Sequence, residues 1–210
     1  MALAGRTLST RTDEQLLTAY RSGETGAFRA LIERHQTDLL RFLYRLTGDR
    51  QAAEDVFQEA FLQVHLSMDS FDPTRRFKPW LFTIAANKGR DYLRKRSRRQ
   101  AMDLSAPVSG RGDFGDSSGL SYVDLMEIDV PAPDAAMDEA ERDAAVQRAL
   151  DTLPWSLREI LLLAYFQRLS YAQVAEELGI PLGTVKSRLH SAVAAFARAW
   201  KQLNETSTEK

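Results

Sequence analysis

The sequence predicts an all-α protein of two small helical domains joined by a flexible acidic linker. Three observations predict it. Apolar residues recur at helical spacing along most of the chain, and no run alternates as a strand would. Proline and glycine are sparse except between residues 101 and 133, where "SAPVSGRGDFGDSSGL" and "VPAP" show no helical period. Charge is segregated: the formal net charge is only −1, yet a basic block over residues 75–99 is followed directly by an acidic one over 103–143.

Length and composition bound the rest. A chain of 210 residues has room for one large domain or two small ones, and its 44% hydrophobic and 27% charged content suits a folded, soluble protein. The absence of cysteine excludes a disulfide framework, a thiolate metal site and a thiol nucleophile. The opening "MALAGRTLST" lacks the apolar run of a signal peptide, and no later stretch is long enough to span a bilayer. A cytoplasmic location is expected.

The first domain is expected over residues 12–100. Thr12 or Asp13 can cap a short helix ending near Arg21. A second helix, about 24–46, carries Phe28, Leu31, Ile32, Leu39, Phe42, Leu43 and Leu46 at helical spacing, with Gly48 after its end. Asp49 can cap a third, to about Met68, whose core face reads Ala53, Val56, Phe57, Ala60 and Val64. Gln51, Asp55, Gln58, Glu59, Leu62 and Leu66 point largely the other way. Two leucines one turn apart beside acids suit a docking surface for another protein; equally, a loop or neighbouring helix would cover them.

The fourth helix is "FKPWLFTIAANKGRDYLRKRSRR", residues 77–99, with Pro79 tolerated in its first turn. Phe77, Trp80, Leu81 and Ile84 form an apolar stripe that fails beyond Ala85, and from Asn87 onward the surface is polar nearly all round. Arg75, Arg76, Lys78, Lys88, Arg90, Arg94, Lys95, Arg96, Arg98 and Arg99 crowd this stretch, with Asp91 the one acid among them. Such a helix end repels itself unless something anionic lies along it, and phosphates fit. Otherwise it is an ordinary solvated face. Phe71, Phe77 and Trp80 just upstream suit stacking on unpaired bases or packing in a core; the core reading is the stronger for Phe77 and Trp80.

Residues 101–133 are read as the linker, and a second domain is expected over 134–203. It begins with a helix over 134–150; Pro154 opens another, to about Gln167. Ser170 and Gln173 form a capping-box pattern for a short helix to Leu178, Gly179 supplies a left-handed turn, Ile180 plugs it, and Pro181 precedes a last helix over about 183–203. Ala175 is small where two helices approach, and Val185 and Leu189 face inward. Gly183, Thr184, Lys186, Ser187, Arg188, His190 and Ser191 are left near the exposed start of the last helix. That is a helix-turn-helix pattern, whose second helix enters a major groove. The competing reading is a plain helical hairpin in a bundle.

Catalytic constellations are missing. His35, His65 and His190 lie in separate elements without metal-ligand spacing, and no phosphate-binding glycine loop or nucleophile elbow occurs. Neither enzymatic activity nor a cofactor or metal is expected.

On these motifs the chain resembles the extracytoplasmic-function sigma factors of the sigma-70 family, the small sigma subunits that direct RNA polymerase to promoters. "AAEDVFQEAFLQVH" resembles the helix that docks on core polymerase. "FKPWLFTIAANKGRDYLRKRSRR" resembles the segment that melts and reads the −10 element. "LDTLPWSLREILLLAYFQRLSYAQVAEELGIPLGTVKSRLHSA" resembles the domain that reads the −35 element. The resemblance implies that Asp55, Gln58 and Glu59, with Leu62 beside them, bind polymerase. It implies that the loop with Phe71 and Asp72 captures a flipped non-template base, with Asn87 near that pocket. Lys78, Lys88, Arg90, Arg94 and Lys95 would then contact −10 DNA. The −35 set is Gly183, Thr184, Lys186, Ser187, Arg188, His190 and Ser191. The acidic linker would thread toward the polymerase cleft, where acids mimic phosphates. One departure stands out: relatives often carry bases where this chain has Ser191 and near Val193, so either −35 affinity is weak or Lys186, Arg188 and Arg198 carry it. Partners implied are core RNA polymerase and promoter DNA, with an anti-sigma factor as a candidate third. A long C-terminal extension after Lys210 is not expected. The alternative is a stand-alone helix-turn-helix regulator that dimerises and binds duplex DNA without polymerase.

Overall fold

The computed structural model describes Leu8 and residues 10–103, 139–167 and 169–208, with side chains described as far as residue 99 and again over 140–203 except 168. All regular structure among these residues is helical: α1 (Asp13–Arg21), α2 (Thr25–Thr47), α3 (Arg50–Ser67), a 3-10 turn (Met68–Ser70), α4 (Phe77–Asp103), α5 (Glu139–Asp151), α6 (Trp155–Gln167), α7 (Tyr171–Leu178) and α8 (Leu182–Thr208). The chain divides into two compact units, Met1–Leu93 and Arg94–Lys210. Residues 104–133 of the expected linker, and 134–138 of the expected fifth helix, lie outside the described residues. Residues 101–103 correct the linker's start: they are the last residues of α4. No glycine or proline interrupts the sequence between Gly89 and Pro107, and Arg, Lys, Gln, Ala and Met all sustain a helix.

In the first unit, Thr12 and Gln15 close a capping box on α1: the Gln15 N–H donates to Thr12 Oγ1 at 3.3 Å and the Thr12 N–H to Gln15 Oε1 at 2.9 Å. Leu16 and Leu17 are buried beneath it. Helix α2 buries Leu31, Leu39, Phe42, Leu43 and Leu46, and ends at Gly48 in the left-handed region, φ 73. Phe28 and Ile32, expected in the same stripe, are only half-buried, while Ala27 and His35 are buried in full. Asp49 Oδ1 accepts the Ala52 N–H at 2.7 Å and starts α3.

The core face of α3 is wider than expected. Ala52, Ala53, Val56, Ala60, Phe61 and Val64 are buried, and Phe57 is half-buried. Phe61 joins because it meets two rings, Phe57 at 5.0 Å and Phe28 of α2 at 6.0 Å. On α4 the buried stripe is Phe77, Leu81, Phe82, Ala85 and Ala86, reaching Gly89, while Trp80 and Ile84 are half-buried. Phe82 was not expected there; it lies 5.1 Å from Phe42 of α2, with neither ring exposed. Each fully buried phenylalanine or leucine contributes about 1.5–3 kcal/mol relative to exposure.

In the second unit, α8 packs with α5, α6 and α7. Its far half, Ala199 and Trp200, closes on Ala145 and Ala149 of α5, with Phe196 stacked parallel to Trp200. Its near half, Val185, Leu189 and Ala192, packs with Leu153, Ile160 of α6 and Val174 of α7. Arg158 is buried and ion-pairs with Asp151 at 3.0 Å; burial pulls its pKa down, and Asp151 opposes that shift.

Candidate nucleic-acid interface

Three surfaces carry the residues singled out in the sequence. On α3, Gln58 and Glu59 are exposed and Asp55 is half-buried, its Oδ1 accepting from Gln51 Nε2 at 3.2 Å. Leu62 is 58% and Leu66 68% exposed, so among the described residues nothing covers them. Of the two readings of these leucines, the one in which this chain covers them is excluded for the described part. An exposed pair of leucines beside acids is a surface that gains by being covered.

The second surface is the loop before α4 and the helix itself. Phe71 is only 5% exposed, with its ring 4.7 Å from Trp80 and 6.2 Å from Phe77. Of the two readings of Phe71, packing in the core is the one its burial supports: the ring is held against Trp80 and Phe77 and anchors the loop. Asp72 is exposed, and its Oδ1 accepts the Thr74 N–H at 2.9 Å and the Thr74 hydroxyl at 2.8 Å. Those two bonds, the backbone one first, hold its carboxyl below the ordinary aspartate value. The Arg75 N–H donates to the Asp72 carbonyl at 3.0 Å, closing a turn that presents the Asp72 side chain outward.

Lys78 is half-buried: its Nζ lies 3.1 Å from Asp38 Oδ2 and 5.5 Å from the centre of the Phe82 ring, so its charge has a partner within the first unit. Beyond it, Asn87, Arg90, Arg94 and Lys95 are exposed and Lys88 is half-buried. Asn87, Arg90 and Arg94 recur at i, i+3 and i+7, along one face. Gly89 is the last buried residue of α4 among those described; Tyr92 and Leu93 are half-buried, and Arg94 to Arg99 are exposed.

The third surface is the helix-turn-helix. Ser170 accepts the Gln173 N–H at 3.4 Å and the Gln173 side chain accepts the Ser170 N–H at 2.9 Å. At the other end of α7 the Ile180 N–H donates to Ala175 O at 3.1 Å and the Gly179 N–H to Glu176 O at 3.3 Å, with Gly179 at φ 63. That is a Schellman ending, and Ile180 and Ala175 both touch the same apolar cluster. Gly183, Lys186, Ser187 and Ser191 are exposed, while Thr184, Arg188 and His190 are half-buried. The Ser187 hydroxyl donates back to Thr184 O at 3.2 Å. The His190 Nδ1 is shielded from solvent and has no hydrogen-bond partner among the described residues, which leaves Nε2 for outward contact.

Two features escaped the sequence. Asp13 pairs with Arg34 at 2.7 Å and with His35 at 2.9 Å, tying α1 to α2. His35 stands between Leu31 and Leu39 in one buried stripe, and a histidine in an apolar i, i+4, i+8 series was the available signal. Glu14 Oε1 accepts the Phe77 N–H at 2.9 Å across 63 residues, and no local pattern announces it. Among the described residues no group of three His, Asp or Glu side chains is arranged to hold a metal, and no helix is long and apolar enough to cross a membrane.

Comparison with known proteins finds relatives for both units of the chain. Residues 31–99 match the family model for sigma-70 region 2, and residues 143–196 that for sigma-70 region 4. The chain is 31% identical over 183 residues to the ECF RNA polymerase sigma factor SigW of Bacillus subtilis, covering 87% of this chain and 94% of that protein. It is 32% identical over 196 residues to the RNA polymerase sigma-H factor of Pseudomonas aeruginosa, covering 93% and 97%. Among solved structures it is similar to the sigma factor RpoE of Bartonella quintana, solved in complex with the anti-sigma factor NepR. The TM-score is 0.60 at 26% identity, covering 83% of this chain and 96% of that one.

Proposed function

This chain belongs to the extracytoplasmic-function sigma factors of the sigma-70 family, and from that membership we propose how its residues divide the work of a sigma subunit. It directs RNA polymerase to promoters; sigma factors are specificity subunits, and the chemistry of RNA synthesis belongs to the core enzyme. The α3 face of Asp55, Gln58, Glu59 and Leu62 docks on core polymerase. The Asp72 turn and Asn87 read the −10 element on an opened strand, and Lys88, Arg90, Arg94 and Lys95 hold its phosphates. Gly183, Thr184, Lys186, Ser187, Arg188 and Ser191, with His190 through Nε2, read the −35 element in duplex DNA. The functional regions are the stretch over residues 12–100 and the stretch over 134–203.

The observation that carries this reading is the change of character along α4, whose buried residues recur as far as Gly89 and whose exposed cations crowd the part beyond. A helix end of that kind favours an anionic strand along it, because each neutralised phosphate releases counterions. Partners follow: core RNA polymerase, promoter DNA, and an anti-sigma factor of the kind seen with the Bartonella protein. The site of action is the cytoplasm, where polymerase and promoter are. A stand-alone regulator is not favoured, since it would leave the exposed α3 leucines and the region 2 match without a role.

The test is holoenzyme binding over a salt series on duplex promoter and on a pre-melted bubble template. Asn87→Ala is expected to impair strand opening with a penalty that depends on the −10 bases. Identical behaviour on both templates and every −10 sequence overturns the base-reading role.

A further inference from the structure

The segment from Met68 to Phe77 joins α3 to α4, and α1 contacts it at both ends. At the α4 end, Glu14 Oε1 accepts the Phe77 N–H at 2.9 Å. At the α3 end, Arg21 Nε lies 3.6 Å from Asp69 Oδ1. Glu14 and Arg21 stand seven residues apart, two helical turns, so one face of α1 serves both.

The Glu14 bond is the one with consequences. A helix start leaves N–H groups without partners, and a Ser, Thr, Asp or Asn just before it normally supplies an acceptor. Here the preceding residues are Arg75 and Arg76, whose side chains only donate. The acceptor comes from α1 instead, and its negative charge also suits the positive end of the helix. The Arg21–Asp69 pair is exposed, with side chains 36% and 85% accessible, and adds less. Between the two contacts, Phe71 is pinned against Phe77 and Trp80, and the Asp72 turn follows directly. Fixing Phe77 therefore fixes Phe71, and with it the place from which Asp72 projects. Glu14 lies outside the stretch matched to sigma-70 region 2, residues 31–99.

We propose that Glu14 is a positioning residue for −10 recognition: capping α4 from α1, it sets the Asp72 turn at a fixed place relative to Asn87. This rests on the reading of Asp72 and Asn87 as −10 contacts. Holoenzymes carrying Glu14→Ala, Glu14→Gln or Asp72→Ala test it on pre-melted templates. One template bears the −10 sequence selected by the unaltered holoenzyme, and the other a single base change. The readout is the ratio of the two affinities, which a smaller folded fraction does not move.

Glu14→Ala is expected to lower that ratio toward the one that Asp72→Ala gives. Glu14→Gln, which keeps an acceptor, is expected to restore most of it. Should the alanine variant not fold, Glu14→Asp, with the charge kept and the reach shortened, is expected to lower the ratio in its place. An unchanged ratio in Glu14→Ala or its substitute, beside a lowered one in Asp72→Ala, overturns the proposal and leaves the loop reading standing. An unchanged ratio in Asp72→Ala overturns both. A glutamine variant as defective as alanine overturns the cap as the cause.

Discussion

Asp13 is under opposed influences. Burial, the largest, pushes its carboxyl pKa up, but the hydrogen bonds and charges of His35 and Arg34 together outweigh it and hold the value below 3.8. A folded value below the unfolded one means that the unfolded chain binds the extra proton in that window. The contribution is therefore fully present above the unfolded value of 3.8 and lost as pH falls through the folded one. Asp13→Asn is expected to be less stable than the unaltered chain near neutral pH, and the gap to shrink below pH 3.8, as urea midpoints at neutral and acid pH will read. The cations of α4 separate at the same scale. Arg90→Ala, Arg94→Ala and Lys95→Ala should each flatten the salt dependence of promoter binding by up to about one unit of slope, whatever the sequence. Lys78→Ala should leave that slope alone and lower stability, because its partner is Asp38. An arginine variant that changes sequence preference while the slope stays put contradicts the phosphate role.

The helix-turn-helix was legible almost residue by residue because its rules are local. Ser170 with Gln173, Gly179, and Val185 with Leu189 each obey a short-range requirement that the structure meets. The cost of Gly179→Ala should be conformational alone, since nothing lies within 4 Å of the added carbon: about 1–2 kcal/mol for a left-handed alanine, read as a lower thermal midpoint. Gly183→Ala, equally open but inside α8, should instead stabilise by up to about 1 kcal/mol. Helix α4 was legible as a helix but not in its buried face. Trp80 and Phe82 were both available to the core, and Phe42 on α2 decides for Phe82. Phe71 looked like a loop aromatic and is buried because Trp80 lies 4.7 Å away. The same holds for the candidate site: composition reveals that cations crowd α4, but only tertiary contact reveals that Lys78 is engaged by Asp38, and that Glu14 caps the helix. Signals that depend on one chain segment meeting another have no local spacing to betray them.

As a whole molecule the chain presents one surface that is costly to leave in water, and the proposed division assigns two others to DNA. Leu62 and Leu66 are exposed, so replacing them with alanine should change stability by no more than about 0.5 kcal/mol while weakening capture of core polymerase in a pull-down. Asp55→Arg together with Glu59→Arg should abolish that capture in a folded protein, at a cost of about 2–5 kcal/mol where charges meet across an interface. Undiminished capture by the folded double variant sinks the α3 assignment. The division of labour requires that the DNA surfaces work only once polymerase is docked. The most direct measurement is promoter duplex binding by the chain alone, by core polymerase alone and by the two together, with permanganate probing of the −10 thymines. The account predicts a sequence-specific complex and reactive thymines only when both are present. A complex formed equally well by the chain alone, unchanged by core polymerase and with unreactive −10 thymines, would contradict it.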